Sequence, residues 1–144
     1  MPEWLAGCLK DNEAVRMLKE NRGPLPLSSL MQEALVISAS YLQKPRPILV
    51  VKKNLYQAQR LFERVSSLLC QDECALFGAD ESLRMEALAS SLEITAGKVD
   101  ALSSLLEKPA QVVVTCPSGY LRNLPFPADF ADACMVLKVN DVIS

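Results

Sequence analysis

Two rhythms of apolar residues alternate along this chain, one returning every three or four positions and one unbroken over four. From Trp4 to about Glu20, the residues Trp4, Leu5, Cys8, Leu9, Val15 and Leu18 return at helical spacing, while Lys10, Asp11, Asn12, Glu13 and Lys19 fill the rest. This spacing predicts one amphipathic docking helix. Ser28 stands where a cap belongs for a second helix through about Leu42. Its Leu30, Ala34, Leu35, Ile37 and Tyr41, with few charges among them, predict burial against a sheet. Pro45 and Pro47 close that helix and open Ile48-Leu49-Val50-Val51, which lacks polar alternation and so reads as a strand covered on both faces. Asn54 then caps a helix in which Leu55, Ala58, Phe62, Val65 and Leu69 form one stripe and Gln57, Arg60, Arg64 and Ser67 the other.

Cys74-Ala75-Leu76-Phe77 makes a short second strand ended by Gly78. Ser82 to Ala89 and Ile94 to Glu107 read as two further helices, the second weakened by Gly97 at roughly 1 kcal/mol relative to alanine. Gln111-Val112-Val113-Val114-Thr115 repeats the buried-strand signature, and Pro117 suits the first turn of a short helix reaching Leu124. The order strand, helix, strand, helices, strand, helix implies right-handed crossovers. The fold class is therefore α/β, a small three-layer parallel sheet with helices on both faces. From Pro125 the composition changes. Pro125-Phe126-Pro127 with Phe130 reads as a linker packing its aromatics on the core, and Cys134-Met135-Val136-Leu137-Lys138-Val139 as the first strand of a following module. The expected organisation is a docking helix over 1–22, an α/β domain over 23–127, and a linker with that first strand over 128–144.

At 144 residues the chain fits one domain, large enough to bury roughly two thirds of the surface its unfolded form exposes. Half of its residues are hydrophobic, 22% are charged and the net charge is −2, so a strongly basic nucleic-acid domain is excluded and any such contact is a local patch. Five cysteines (Cys8, Cys70, Cys74, Cys116, Cys134) form no Cys-x-x-Cys pair and no histidine is present. That argues against zinc and removes Ser-His-Asp and Cys-His chemistry. The cysteines read as small buried hydrophobes in a reducing compartment. Charges in the first turns exclude a signal peptide, and no apolar run approaches the ~18 residues of a membrane span. The expected location is cytoplasmic, with no membrane contact.

Candidate chemistry gathers where strands end. The segment ahead of the second helix, Asn21-Arg22-Gly23-Pro24-Leu25-Pro26-Leu27-Ser28-Ser29, occupies the place of a phosphate loop, yet it has no lysine and carries two prolines. A phosphate cradle needs successive backbone N–H donors and a lysine at the terminal phosphates, and proline donates nothing. Asp80 and Glu81 after the second strand resemble a magnesium-holding pair, but Gly78 and Ala79 intervene. They open a helix whose dipole favours acids. Lys52, Lys53, Asn54, Tyr56 and Arg60 cluster at the carboxyl end of the first strand, the edge where open parallel sheets bind ligands. These five are the candidate contacts for a partner or a nucleic-acid backbone. No catalytic, cofactor-binding or metal-ligating residue is assigned.

Taken together, Ile48-Leu49-Val50-Val51, Asn54 to Leu61, Leu76 to Ser82, Ala87 to Glu93 and Val112 to Ser118 resemble the amino-terminal part of the bacterial transcription-repair coupling factors over about residues 20–130. The resemblance implies a UvrB-like, RecA/helicase-type domain with a degenerate phosphate loop. It implies a non-catalytic module of an ATP-driven DNA translocase that displaces stalled RNA polymerase and recruits UvrA to start nucleotide excision repair. ATP and magnesium would belong to a motor further along the full-length chain, and the partners would be UvrA, RNA polymerase, DNA and other modules of the same protein. The family's principal UvrA contacts lie in the module that follows, so none is carried onto positions here. The chain departs from the family at Leu92, where proline is frequent, and at Gly97 and Lys98, where a Glu-Arg pair is frequent. The competing readings are a small nucleotide-dependent hydrolase using Asp80 and Glu81, and a stand-alone nucleic-acid-binding domain using Lys52, Lys53 and Arg60.

Overall fold

Asn12 divides the first amphipathic stretch into two helices, α1 (Glu3–Leu9) and α2 (Glu13–Glu20), where spacing alone predicts one. Its side-chain oxygen accepts from the N–H of Ala14 at 3.0 Å and of Val15 at 3.4 Å, satisfying donors at the start of α2 that have no partner within the helix. The computed structural model describes residues 1–78, 92–109, 111–121 and 123–134. After α2 come α3 (Leu30–Gln43), β1 (Ile48–Val51), α4 (Leu55–Leu68), a 3-10 turn at Gln71–Glu73 and β2 (Cys74–Phe77). Then follow α5 (Leu92–Glu107), β3 (Val112–Thr115), α6 (Pro117–Tyr120) and α7 (Pro127–Ala133). The helix expected from Ser82 to Ala89, and all but the first residue of the strand expected from Cys134 to Val139, lie outside the described residues.

The strands form a parallel sheet in the order β1-β3-β2, with Val51, Thr115 and Phe77 in register. Parallel neighbours need crossover connections, and α4 and α5 lie on those connections. On one face Ala58, Leu61, Val65 and Leu68 of α4 join Cys74, Val112 and Val114 of the sheet and Ala34, Ile37 and Tyr41 of α3 in a single core cluster. Leu61 and Val65 are fully buried, each contributing about 1.5–3 kcal/mol relative to exposure. On the other face Ala101 and Leu102 of α5 meet Ala75, Phe77 and Val113. Helix α3 is clasped between this core and α2, whose Val15 packs on Val36 and Ala39. Burial around most of its circumference accounts for its carrying one charged residue, Glu33.

β1 departs from the expected double coverage. It is an edge strand, and while Ile48 and Val50 join the core cluster, Leu49 and Val51 are 53% and 46% exposed. Among the described residues helix α5 covers that face, and it packs on β2. An unbroken apolar run does not distinguish one covered face from two, which is why the pattern misled. Two further differences lie near the C-terminal side. Helix α6 ends at Tyr120, short of the expected Leu124. Pro127 begins a helix where a linker was expected, with its ring at a first-turn position that needs no N–H. Phe126 is 77% exposed and does not pack on the core.

Side chains from distant positions finish the helix ends. Arg46 Nη1 donates to the Lys19 carbonyl at 2.7 Å and its Nη2 to the Leu18 carbonyl at 2.9 Å. Gln43 Nε2 donates to the Lys10 carbonyl at 3.3 Å, just past α1. These orphan carbonyls are what a helix C-terminus leaves over. At the sheet, Thr115 Oγ1 donates to the Phe77 carbonyl at 2.7 Å. A Cβ on Gly119 would lie 2.7 Å from that hydroxyl and 3.0 Å from that carbonyl oxygen, so α6 has room for glycine alone at this position.

Candidate partner-binding site

The carboxyl end of β1 runs straight into α4, and the amino end of α3 lies beside it. Lys52 continues the ladder, its N–H donating to the Thr115 carbonyl at 2.8 Å. Asn54 accepts from the Gln57 N–H at 2.9 Å and is the N-cap of α4. On the other side Ser29, one position later than expected, is the N-cap of α3, its Oγ accepting from the Gln32 N–H at 3.2 Å. Gln32 Oε1 accepts in return from the Ser28 N–H at 3.0 Å and the Ser28 hydroxyl at 2.9 Å. This reciprocal arrangement fixes the entry to α3.

Between these two helix starts lies a cavity of about 320 Å³, lined by residues that include Ser28, Ser29, Glu33, Lys52, Tyr56 and Arg60. Lys52 Nζ meets Glu33 Oε2 at 2.7 Å with both side chains mostly buried. Arg60 Nη1 donates to the Tyr56 hydroxyl at 3.0 Å, and its guanidinium carbon stands 5.9 Å from the centre of the Tyr56 ring. The two residues are one helical turn apart on α4, the spacing at which side chains meet. That contact holds Tyr56, 66% exposed, at the mouth of the cavity.

Of the five residues predicted from sequence, the structure brings three, Lys52, Tyr56 and Arg60, around one cavity. Asn54 is occupied in capping α4, and Lys53 is exposed without lining the cavity. Glu33 was missed. The signal that locates it is the Ser29-x-x-Gln32 capping pattern, which places the next residue in the first turn of α3, at the same rim as the end of β1. The cavity is therefore of mixed charge: one carboxylate neutralises one ammonium, and the Arg60 guanidinium carries the remaining charge beside an aromatic ring. Such a surface suits a polar partner with a planar or carboxylate group better than a polyphosphate.

Elsewhere, burial pushes the Cys74 thiol up to about 11, with Ser66 partly offsetting it. Burial first and Glu73 second raise the Tyr41 phenol. Both belong to the core cluster on the α4 face. Among the described residues no three His, Cys, Asp or Glu side chains gather as a metal site. Among them, too, no helix is long and apolar enough to cross a membrane.

These features define a small α/β domain with a three-stranded parallel sheet and a cavity at the rim where β1 ends. The chain is 29% identical over 94 residues to the transcription-repair-coupling factor of Bacillus subtilis (strain 168), a match covering 65% of this chain and 8% of that protein. Over that part of its length the chain is related to a transcription-repair coupling factor. No family model and no solved structure matches.

Proposed function

We propose that this chain is a UvrB-like, non-catalytic module of a transcription-repair coupling factor, supporting UvrA recruitment and packing against neighbouring modules, with ATP hydrolysis in a motor elsewhere in the full-length protein. The 94-residue match to a transcription-repair-coupling factor carries the reading. The segment from Asn21 to Ser29 supports the non-catalytic half of it. Two of its residues are prolines without an N–H, it holds no lysine, and its single arginine, Arg22, is paired with Glu20 at 2.6 Å. Lys52 is already neutralised by Glu33, which weakens the competing reading of a DNA-backbone site by one of its three charges.

Two titrations test the proposal. Calorimetry with ATP and magnesium is expected to give no binding heat, and saturable binding at micromolar concentration would overturn the non-catalytic reading. Titration of UvrA into the full chain, alone and preceded by RNA polymerase, tests recruitment. A complex with UvrA that weakens on Arg60→Glu supports a role for the rim, and equal affinity for that variant moves the contact away from it.

A further inference from the structure

The sheet has a second edge. β2 lies opposite β1 in the order β1-β3-β2, and among the described residues no strand pairs with its outer side. Cys74 and Leu76 of β2 face the α4 core, while Ala75 and Phe77 face α5. The edge of β2 therefore looks out between two helices, along a groove of about 650 Å³. Phe62 and Ser66 form the α4 wall, and Gly97, Ala101 and Ser104 recur along the α5 wall at helical spacing. A Cβ on Gly97 would meet nothing within 4 Å, so the wall is low and the space beside it open.

Two observations point to an occupant. In a parallel ladder every second residue of an edge strand turns its N–H and C=O outward, ready to pair. Among the described residues the groove is lined by three carboxylates, those of Asp72, Asp100 and Glu107, and by no lysine or arginine. The acids lie on the α5 and turn side, and the aromatic ring of Phe62 on the α4 side. A strand has a period of two, so alternate side chains would enter these two environments separately.

We propose that the groove takes an extended segment of a partner protein, alternating apolar and basic residues, which adds to β2 as a further strand. Main-chain pairing with β2 supplies the grip, the apolar side chains cover Phe62, and the basic ones meet Asp100 and Glu107. This surface stands at the opposite edge of the sheet from the Lys52 cavity and does not depend on the role proposed for it.

The test uses the full chain and a fluorescein-labelled peptide of about eight residues alternating valine and lysine, long enough to span a typical strand. Anisotropy is expected to report saturable binding by the wild type. Gly97→Leu fills the groove while replacing glycine with a stronger helix former at an unobstructed position. It and Asp100→Lys are each expected to weaken binding about tenfold or more, a change of roughly 1.4 kcal/mol. A peptide N-methylated at alternate residues, unable to pair its backbone, is expected not to bind. Circular dichroism checks that both variants stay folded. No binding by the wild type, or undiminished binding of the N-methylated peptide or by folded Gly97→Leu, would overturn the proposal.

Discussion

Lys52 and Glu33 stand 2.7 Å apart, nitrogen to oxygen, joining the end of β1 to the first turn of α3. Each side chain is more than two-thirds covered, so the pair is less screened than a surface salt bridge. Glu33→Gln is expected to lower stability by about 0.5–1 kcal/mol. A double-mutant cycle with Lys52→Met, read by urea denaturation, checks it, and the two single losses are expected to exceed the double loss. The same substitution releases a positive charge into the rim cavity, so a carboxylate-bearing ligand there is expected to bind tighter to Glu33→Gln.

Gly119 and Gly97 are expected to respond oppositely to alanine. At Gly119 the new methyl collides with Thr115 Oγ1 and the Phe77 carbonyl, and the variant is expected to lose about 1–3 kcal/mol. At Gly97 nothing obstructs it, and the variant is expected to gain up to about 1 kcal/mol. Urea midpoints of the two variants decide the matter.

Cys74 makes the fold sensitive to alkali. Its thiol is raised from 9.0 to about 11 by burial, so between those values the unfolded chain has released a proton that the folded chain retains. The sign follows: stability is complete below about pH 9 and falls as pH rises toward 11, by on the order of 2 kcal/mol for this group. Tyr41, raised in the same direction, adds to the loss at higher pH. Cys74→Ala is expected to flatten the decline measured by denaturation at pH 8, 9.5 and 10.5.

Exposure also sorts the thiols by reactivity. Cys8, Cys70 and Cys134 are exposed, whereas Cys74 and Cys116 are buried. Three equivalents of a disulfide reagent are expected to react quickly with the native chain, and the remaining two only after denaturation.

Arg46 ties two segments with one planar group. Its paired donors end on the Leu18 and Lys19 carbonyls, so Arg46→Ala is expected to cost about 1–3 kcal/mol. Arg46→Lys is expected to recover only part of it, because an ammonium lacks the fork. Hydrogen exchange of the amides in α2 localises the effect.

The three strands were legible because each is a short apolar run bounded by proline, glycine or a capping residue, and β2 matched its expected ends residue for residue. Helix α4 was legible through its cap and stripe, ending one residue early. What the pattern hid was local hydrogen bonding and tertiary coverage. Asn12 lies within a stretch of helical periodicity, and only its bonds to Ala14 and Val15 reveal a break. Ser28 and Ser29 are adjacent capping residues, and the reciprocal bond from Gln32 decides between them. At the rim, Lys52, Tyr56 and Arg60 were found from one contiguous stretch. Glu33 was not, since its pairing depends on how α3 lies against β1, a relation between segments that no short window contains.

Because all three strands point the same way, Lys52, Gly78 and Cys116 emerge side by side, each directly after its strand. Gly78 comes so near the start of α4 that a methyl there would touch Leu55 at 3.0 Å. Whatever settles against Arg60 thus has three separate lengths of polypeptide for neighbours. A photoreactive group tethered at Lys53 would be positioned to label Gly78 and Cys116, although both are remote from it in sequence.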